Sequence, residues 1–202
     1  MNTFGAAVSL DPAAGRNMPI RPVLDGAFIT SPLDLSGTFP AQSKPLLITS
    51  TANEAGFGIY NVFGQPVPPT SLQYICDATF GPDRTNVILA NPLYSPVLAP
   101  DGTCDIRTQL QTIGTDYLWR CSSWSFARSW VQNGGTAYVA QYVLGASYPG
   151  NEVVPYCTQP GVVCHQDDIE IVVCDFPSMI PCSLYAAPSL ILIALSCLLH
   201  TC

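Results

Sequence analysis

At 202 residues, with 48% hydrophobic and only 10% charged side chains, the chain has the apolar content for a real core and too little charge for a disordered segment. Its formal net charge is −7, and its seven Lys and Arg residues are scattered, with Arg120 and Arg128 the nearest approach to a cluster. Without a basic patch to neutralise phosphates, nucleic acid and anionic membrane surfaces are excluded as non-specific partners.

Met1–Gly15 lacks a basic start followed by an apolar core, so it does not read as a signal peptide. Residues 1–17 read as a flexible N-terminal segment. Ile20–Ile29 is expected to be short and extended, with a turn at Asp25-Gly26, and Thr30–Gln42 to be a loop. Pro45–Thr49 is an unbroken apolar run between turn signals, the pattern of a buried parallel strand. Ala52–Gly58 then turns, its glycines permitting a tight course around Glu54. Phe57–Pro69 reads as irregular, and Ser71–Phe80 and Asp83–Leu89 as short helices.

Ile106, Leu110, Ile113 and Tyr117 recur near helical spacing in Cys104–Tyr117. Trp119–Gln132 is the strongest helix, with Trp119, Phe126 and Trp130 available to one side as packing residues. Asn133-Gly134-Gly135 ends it as a C-cap. Ala137–Leu144 is rich in β-formers and predicts a strand. Gly145–Val163, carrying Pro149, Pro155 and Pro160, is a long loop leading into His165. Two strands separated by helices, each ending in a polar loop, describe an α/β unit with its chemistry at the strand ends. The almost wholly apolar run Ala186–Leu199 is shorter than the ~20 residues that span a bilayer, which makes a membrane partner unexpected.

Two stretches carry the chemistry. Val163–Val173 sets His165, one of two histidines, between Cys164 and the pair Asp167 and Asp168, ahead of an apolar run. A neutral imidazole beside acids is a setting for a general base, and equally for a surface histidine that only hydrogen-bonds. The loop after Pro45–Thr49 delivers the single glutamate Glu54. A metal site from Cys164, His165, Asp167 and Asp168 is not expected, because adjacent positions cannot all face one ion; no cofactor motif is read either.

Nine cysteines suggest an oxidising compartment, a secreted context at odds with the missing signal peptide. Cys157 and Cys164 bracket a short loop before His165 and predict a disulfide, while Cys76, Cys104 and Cys121 are further candidates for pairing.

In order along the chain stand Arg21-Pro22-Val23-Leu24-Asp25-Gly26, Thr51-Ala52-Asn53-Glu54-Ala55-Gly56, Leu118-Trp119-Arg120-Cys121, Gly134-Gly135-Thr136-Ala137-Tyr138-Val139 and Cys164-His165-Gln166-Asp167-Asp168-Ile169. Together they resemble the C-terminal part of a fungal type-B carboxylesterase, the α/β-hydrolase group that includes cholinesterases and fungal lipases. The resemblance covers residues 18–173 and implies part of an α/β-hydrolase fold, a mostly parallel sheet with flanking helices. It implies an ester or lipid substrate, Glu54 as the triad acid and His165 as its base, with Ala55 standing before Gly56 where the family has Glu-Gly. The family's nucleophile elbow, Gly-x-Ser-x-Gly, is absent from the sequence. Residues 174–202 form a divergent apolar tail outside the resemblance. The expectation is therefore an esterase cut at both ends, carrying an acid and a base without a nucleophile and inactive alone. The alternative is a non-catalytic binding module, secreted or membrane-anchored, built on the cysteines and the apolar tail.

Overall fold

The computed structural model describes residues 25–27, 44–96, 102, 104–145 and 147–172. The chain divides into two units, Met1–Ala41 and Gln42–Cys202. In the first, Asp25–Ala27 form the expected turn: Gly26 has φ +73° and the Asp25 carboxylate accepts the Ala27 N–H at 2.9 Å. The expected domain boundaries near residues 17 and 173, the Thr30–Gln42 loop and the apolar run 186–199 lie outside the described residues.

The second unit mixes helices with a two-stranded parallel sheet. Strand β1 (Leu46–Thr51) pairs with β2 (Ala137–Tyr142), Leu46 beside Ala137 and Thr51 beside Tyr142. Between them among the described residues come first α1 (Gly56–Val62), α2 (Leu72–Phe80), α3 (Pro82–Leu89) and α4 (Arg107–Thr115). A π-helical turn, Asp116–Arg120, then runs directly into α5 (Cys121–Gln132). The helix α5 packs on both strands.

Local chemistry accounts for most of these boundaries. Gly81, at φ +79°, ends α2 by donating its N–H to Asp77 O and starts α3, where Pro82 fills a first-turn position that needs no N–H. The end of α5 is a Schellman arrangement: Gly134 N–H bonds Val131 O at 2.9 Å and Gly135 N–H bonds Trp130 O at 3.1 Å, with Gly134 at φ +88°.

One core joins Leu72 and Cys76 of α2, Leu110 and Ile113 of α4, and the loop residues Val67 and Ile106. A second gathers Val154, Tyr156, Cys157 and Cys164, with Tyr60 of α1 stacked on Tyr156 at 3.8 Å between ring centroids. Full burial of such side chains contributes about 1.5–3 kcal/mol each, which is how the long 145–163 segment is held with only two 3-10 turns, Asn151–Val153 and Pro155–Thr158.

Several expectations are corrected. Residues 56–62, read as the end of the Ala52–Gly58 turn and the start of the irregular stretch Phe57–Pro69, form α1, a helix too short and glycine-containing for periodicity to reveal; its position against α4 and the Tyr156 loop supplies what propensity does not. The glycine at 56 is required by close packing, not by a left-handed backbone: a Cβ there would lie 2.7 Å from Tyr156 Cε1. The apolar run after His165 begins as a helical turn, α6 (Ile169–Val172), ending in exposed Val172.

β1 is parallel as expected but not buried throughout. Leu47 is 65% exposed, and its register partner Tyr138 is 56% exposed. Gln141 faces Arg120 on the α5 side, so by strand alternation Leu47 and Tyr138 point to the opposite face, which no described helix covers there. The cysteines Cys76 and Cys104 are free thiols and Cys121 is disulfide-bonded, so these three do not pair with one another.

Candidate functional site

The two residues singled out from sequence meet. β1 ends at Thr51, and a turn closed by Gly56 N–H on Asn53 O, 2.8 Å, lifts Glu54 out of the strand direction. The next residue is anchored from α4: Ala55 N–H donates to the fully buried Thr115 hydroxyl at 3.1 Å. Glu54 is only 6% exposed, and both of its oxygens are engaged. Oε1 accepts the Thr51 N–H at 2.7 Å, and Oε2 lies 2.6 Å from His165 Nδ1.

His165 arrives from the far end of the chain along a path stitched to the same strand end. Asn53 and Cys164 form a parallel bridge that prolongs the sheet: Asn53 N–H bonds Val163 O at 2.9 Å, and Val163 N–H bonds the Asn53 side-chain oxygen at 3.0 Å. The expected disulfide Cys157–Cys164 is present and buried, closing the loop immediately before the histidine.

With a carboxylate accepting at Nδ1, the imidazole carries its proton there and leaves Nε2 as the free base. The ring is half exposed. Its pKa is raised, chiefly by the hydrogen bond to Glu54; burial opposes this, and the charges of Glu54, Asp168 and Asp167 reinforce it. Asp168 is itself pushed above the ordinary carboxyl value, first by burial. Among the described residues no hydroxyl is hydrogen-bonded to Nε2.

Trp119 stands beside His165, 5.6 Å between ring centroids, whereas Phe126 and Trp130 stack on each other further along the helix. The expectation of three aromatics on one packing side is thus corrected. Trp119 lies in the π turn, which shifts the helical register between it and the residues beyond. The same turn places Arg120, one of the seven basic residues. Arg120 pairs with Asp116, donates to Ala52 O at 3.5 Å, and in the amide orientation that satisfies both groups donates to Gln141 Oε1 from Nε at 3.0 Å and Nη2 at 2.7 Å. It thereby ties the turn carrying Glu54 to β2. No sequence signal marks this role.

Beside the pair opens a cavity of about 510 Å³. Its walls are apolar, among them Phe57, Ile59, Phe63, Ile113 and Trp119, and Glu54 and His165 supply polar groups at its margin. Cys76 also lines it, its thiol pushed up first by burial and then by Asp77.

Of the residues around His165, Cys164 is consumed in the disulfide and Asp167 is fully engaged by N–H donors, so neither side chain is available to an ion. Among the described residues no group of three His, Cys, Asp or Glu side chains is placed to hold a metal ion, and no helix is long and apolar enough to cross a membrane.

The fold and site together define a mixed α/β unit with an acid–histidine pair where β1 ends and the Asn53–Cys164 bridge prolongs it. Compared with protein-family models, curated proteins and solved structures, the chain matches none.

Proposed function

We propose that Glu54 and His165 are the acid and base of a serine-esterase triad, in a unit corresponding to the C-terminal part of an α/β-hydrolase of the type-B carboxylesterase kind. The observation that carries this reading is the 2.6 Å contact between carboxylate and imidazole, made just past the end of β1 and the Asn53–Cys164 bridge and beside an apolar cavity. In the complete enzyme His165 Nε2 takes the proton of a serine hydroxyl as it attacks the ester carbonyl, then returns it to the leaving alcohol. Glu54 keeps the proton on Nδ1 and stabilises the imidazolium.

In α/β-hydrolases the order along the chain is serine, acid, histidine, so the nucleophile belongs on the amino-terminal side of Glu54. The sequence holds no Gly-x-Ser-x-Gly there. The 202-residue chain is accordingly expected to show no turnover of a p-nitrophenyl ester and no labelling by a fluorophosphonate.

The test is to sequence the transcript upstream of Met1 and express the longer polypeptide. The reading requires an elbow serine, ester hydrolysis, and a loss of about 10³-fold or more in kcat for His165→Ala. It fails if the transcript encodes no elbow, or if hydrolysis survives His165→Ala. A transcript that starts at Met1 turns the cavity over to the binding-module reading.

A further inference from the structure

The acidic pair after His165 contains one residue that the acid–base chemistry leaves unused. Asp167 is 2% exposed, and no Lys or Arg pairs with it among the described residues. Its carboxylate is held by three N–H donors instead. Oδ1 accepts from the Tyr148 amide and from Asn151 Nδ2, both at 2.8 Å, and Oδ2 accepts from the Cys164 amide at 2.7 Å. Asn151, 5% exposed, spends its other Nδ2 hydrogen on the carbonyl of His165 itself, at 3.0 Å.

These bonds close around a tight turn. Asp167 N–H bonds Cys164 O at 3.1 Å, so His165 and Gln166 are the two central residues, and Gln166 has φ +75°. A left-handed second central residue is the mark of a type II turn, usually made by glycine. A glutamine held there needs an outside constraint, and the Asp167–Asn151 bonds provide one from both sides of the histidine. Gly145 fits the same design, because a Cβ at that position would lie 2.9 Å from Asp167 Cβ and 3.0 Å from its backbone oxygen.

We propose that Asp167, linked through Asn151, is a positioning residue that holds the His165 turn in register with Glu54. It touches neither the imidazole nor the place where a substrate would sit. The proposal rests on the Glu54–His165 pair being the acid and base, and it extends that site to two residues beyond the pair.

The experiment is NMR on the 202-residue chain carrying His200→Gln, which leaves His165 as the sole imidazole. The native chain is expected to show a far-downfield Nδ1–H proton from the contact with Glu54. Asn151→Ala is the decisive variant because it changes no charge: Glu54, Asp167 and Asp168 all remain. It is expected to abolish the downfield resonance and lower the His165 titration midpoint toward the ordinary imidazole value. A residue that merely packed the 145–163 loop would leave both unchanged. Asp167→Asn is expected to abolish the resonance as well, since an amide nitrogen would then face an N–H donor.

A folded Asn151→Ala variant with resonance and midpoint intact overturns the proposal. Should that variant not fold, hydrogen exchange of the native chain decides. The Cys164 and Tyr148 amides are expected to exchange on the order of 100-fold more slowly than exposed loop amides, and equal rates overturn the proposal. Failure of the esterase reading appears elsewhere, in the activity of the longer polypeptide, and leaves these readouts standing.

Discussion

His165 Nδ1 lies 2.6 Å from Glu54 Oε2 across a sequence separation of 111 residues, and the two side chains come from loops that follow different segments of one small parallel sheet. The contact links protonation to folding. A histidine whose pKa is raised by folding binds its proton more tightly in the folded chain, so its contribution is fully present below the ordinary value near 6.5 and is lost as pH rises through the raised value. The urea midpoint is expected to fall as pH is raised from about 6 to about 9. Glu54→Gln is expected to flatten that slope, because it removes the largest cause of the shift. An equal slope in both proteins would show that the pair is not coupled to folding.

Asp168 adds a second slope of the same sign at lower pH. Burial raises its pKa, so its contribution is present below the ordinary value of 3.8 and is lost as pH climbs through the raised one. In Asp168→Asn the acidic part of the stability profile should lose this component while the slope above pH 6 keeps its sign.

Two glycines, Gly145 in close contact and Gly58 in open space, separate steric need from conformational freedom. At Gly145 an added Cβ meets Val163 Cγ1 at 2.6 Å and the Asp167 backbone oxygen at 3.0 Å, so Gly145→Ala is expected to destabilise by about 1–3 kcal/mol. Gly58, inside α1, has nothing within 4 Å of its built Cβ, and Gly58→Ala should stabilise by about 0.5–1 kcal/mol through helix propensity. Gln166→Val, a β-branched side chain at φ +75°, should cost about 1–2 kcal/mol, whereas Gln166→Gly should not. Equilibrium unfolding in guanidinium checks all four; equal midpoints for the Gly145 and Gly58 variants would contradict the close packing at Gly145.

The Cys157–Cys164 disulfide joins residues seven apart, and closing so short a loop is worth about 2–3 kcal/mol in the unfolded-chain account. The paired substitution of both cysteines by alanine is expected to lose that amount. It should also lower the His165 titration midpoint, since Cys164 immediately precedes the histidine. Unchanged stability together with an unchanged titration would place the disulfide outside the site's support.

The exposed pair Leu47 and Tyr138 sits on a parallel sheet, a structure ordinarily covered on both faces. Self-association through this face is expected to limit the isolated chain. Leu47→Lys combined with Tyr138→Thr should raise the monomer fraction in light scattering without moving the His165 titration. A native chain that is already monomeric at high concentration, with a cooperative unfolding transition, would remove the basis for this expectation.

Much of the framework was legible in the sequence because it rests on short-range chemistry. The β-formers of Ala137–Tyr142, the two short helices around residues 71–89 and the glycine cap after Gln132 each encode their conformation within a few residues. Glu54 and His165 stood out as rare polar residues beside apolar runs, and Cys157 and Cys164 as neighbours across a short loop. What the local pattern did not reveal depends on contacts between distant segments. The helix α1 exists because α4 and Tyr156 pack against it; Trp119 reaches His165 because a π turn shifts its register; Arg120 bridges two strand ends; and Asp167, one of two adjacent aspartates, turns inward to three N–H donors while its neighbour does not. Propensity and spacing act over one or two turns of chain, so the sequence by itself determined the elements and the candidate pair. Which side chains share one buried environment is settled by the packing free energy of the whole unit, and only the tertiary structure decided that.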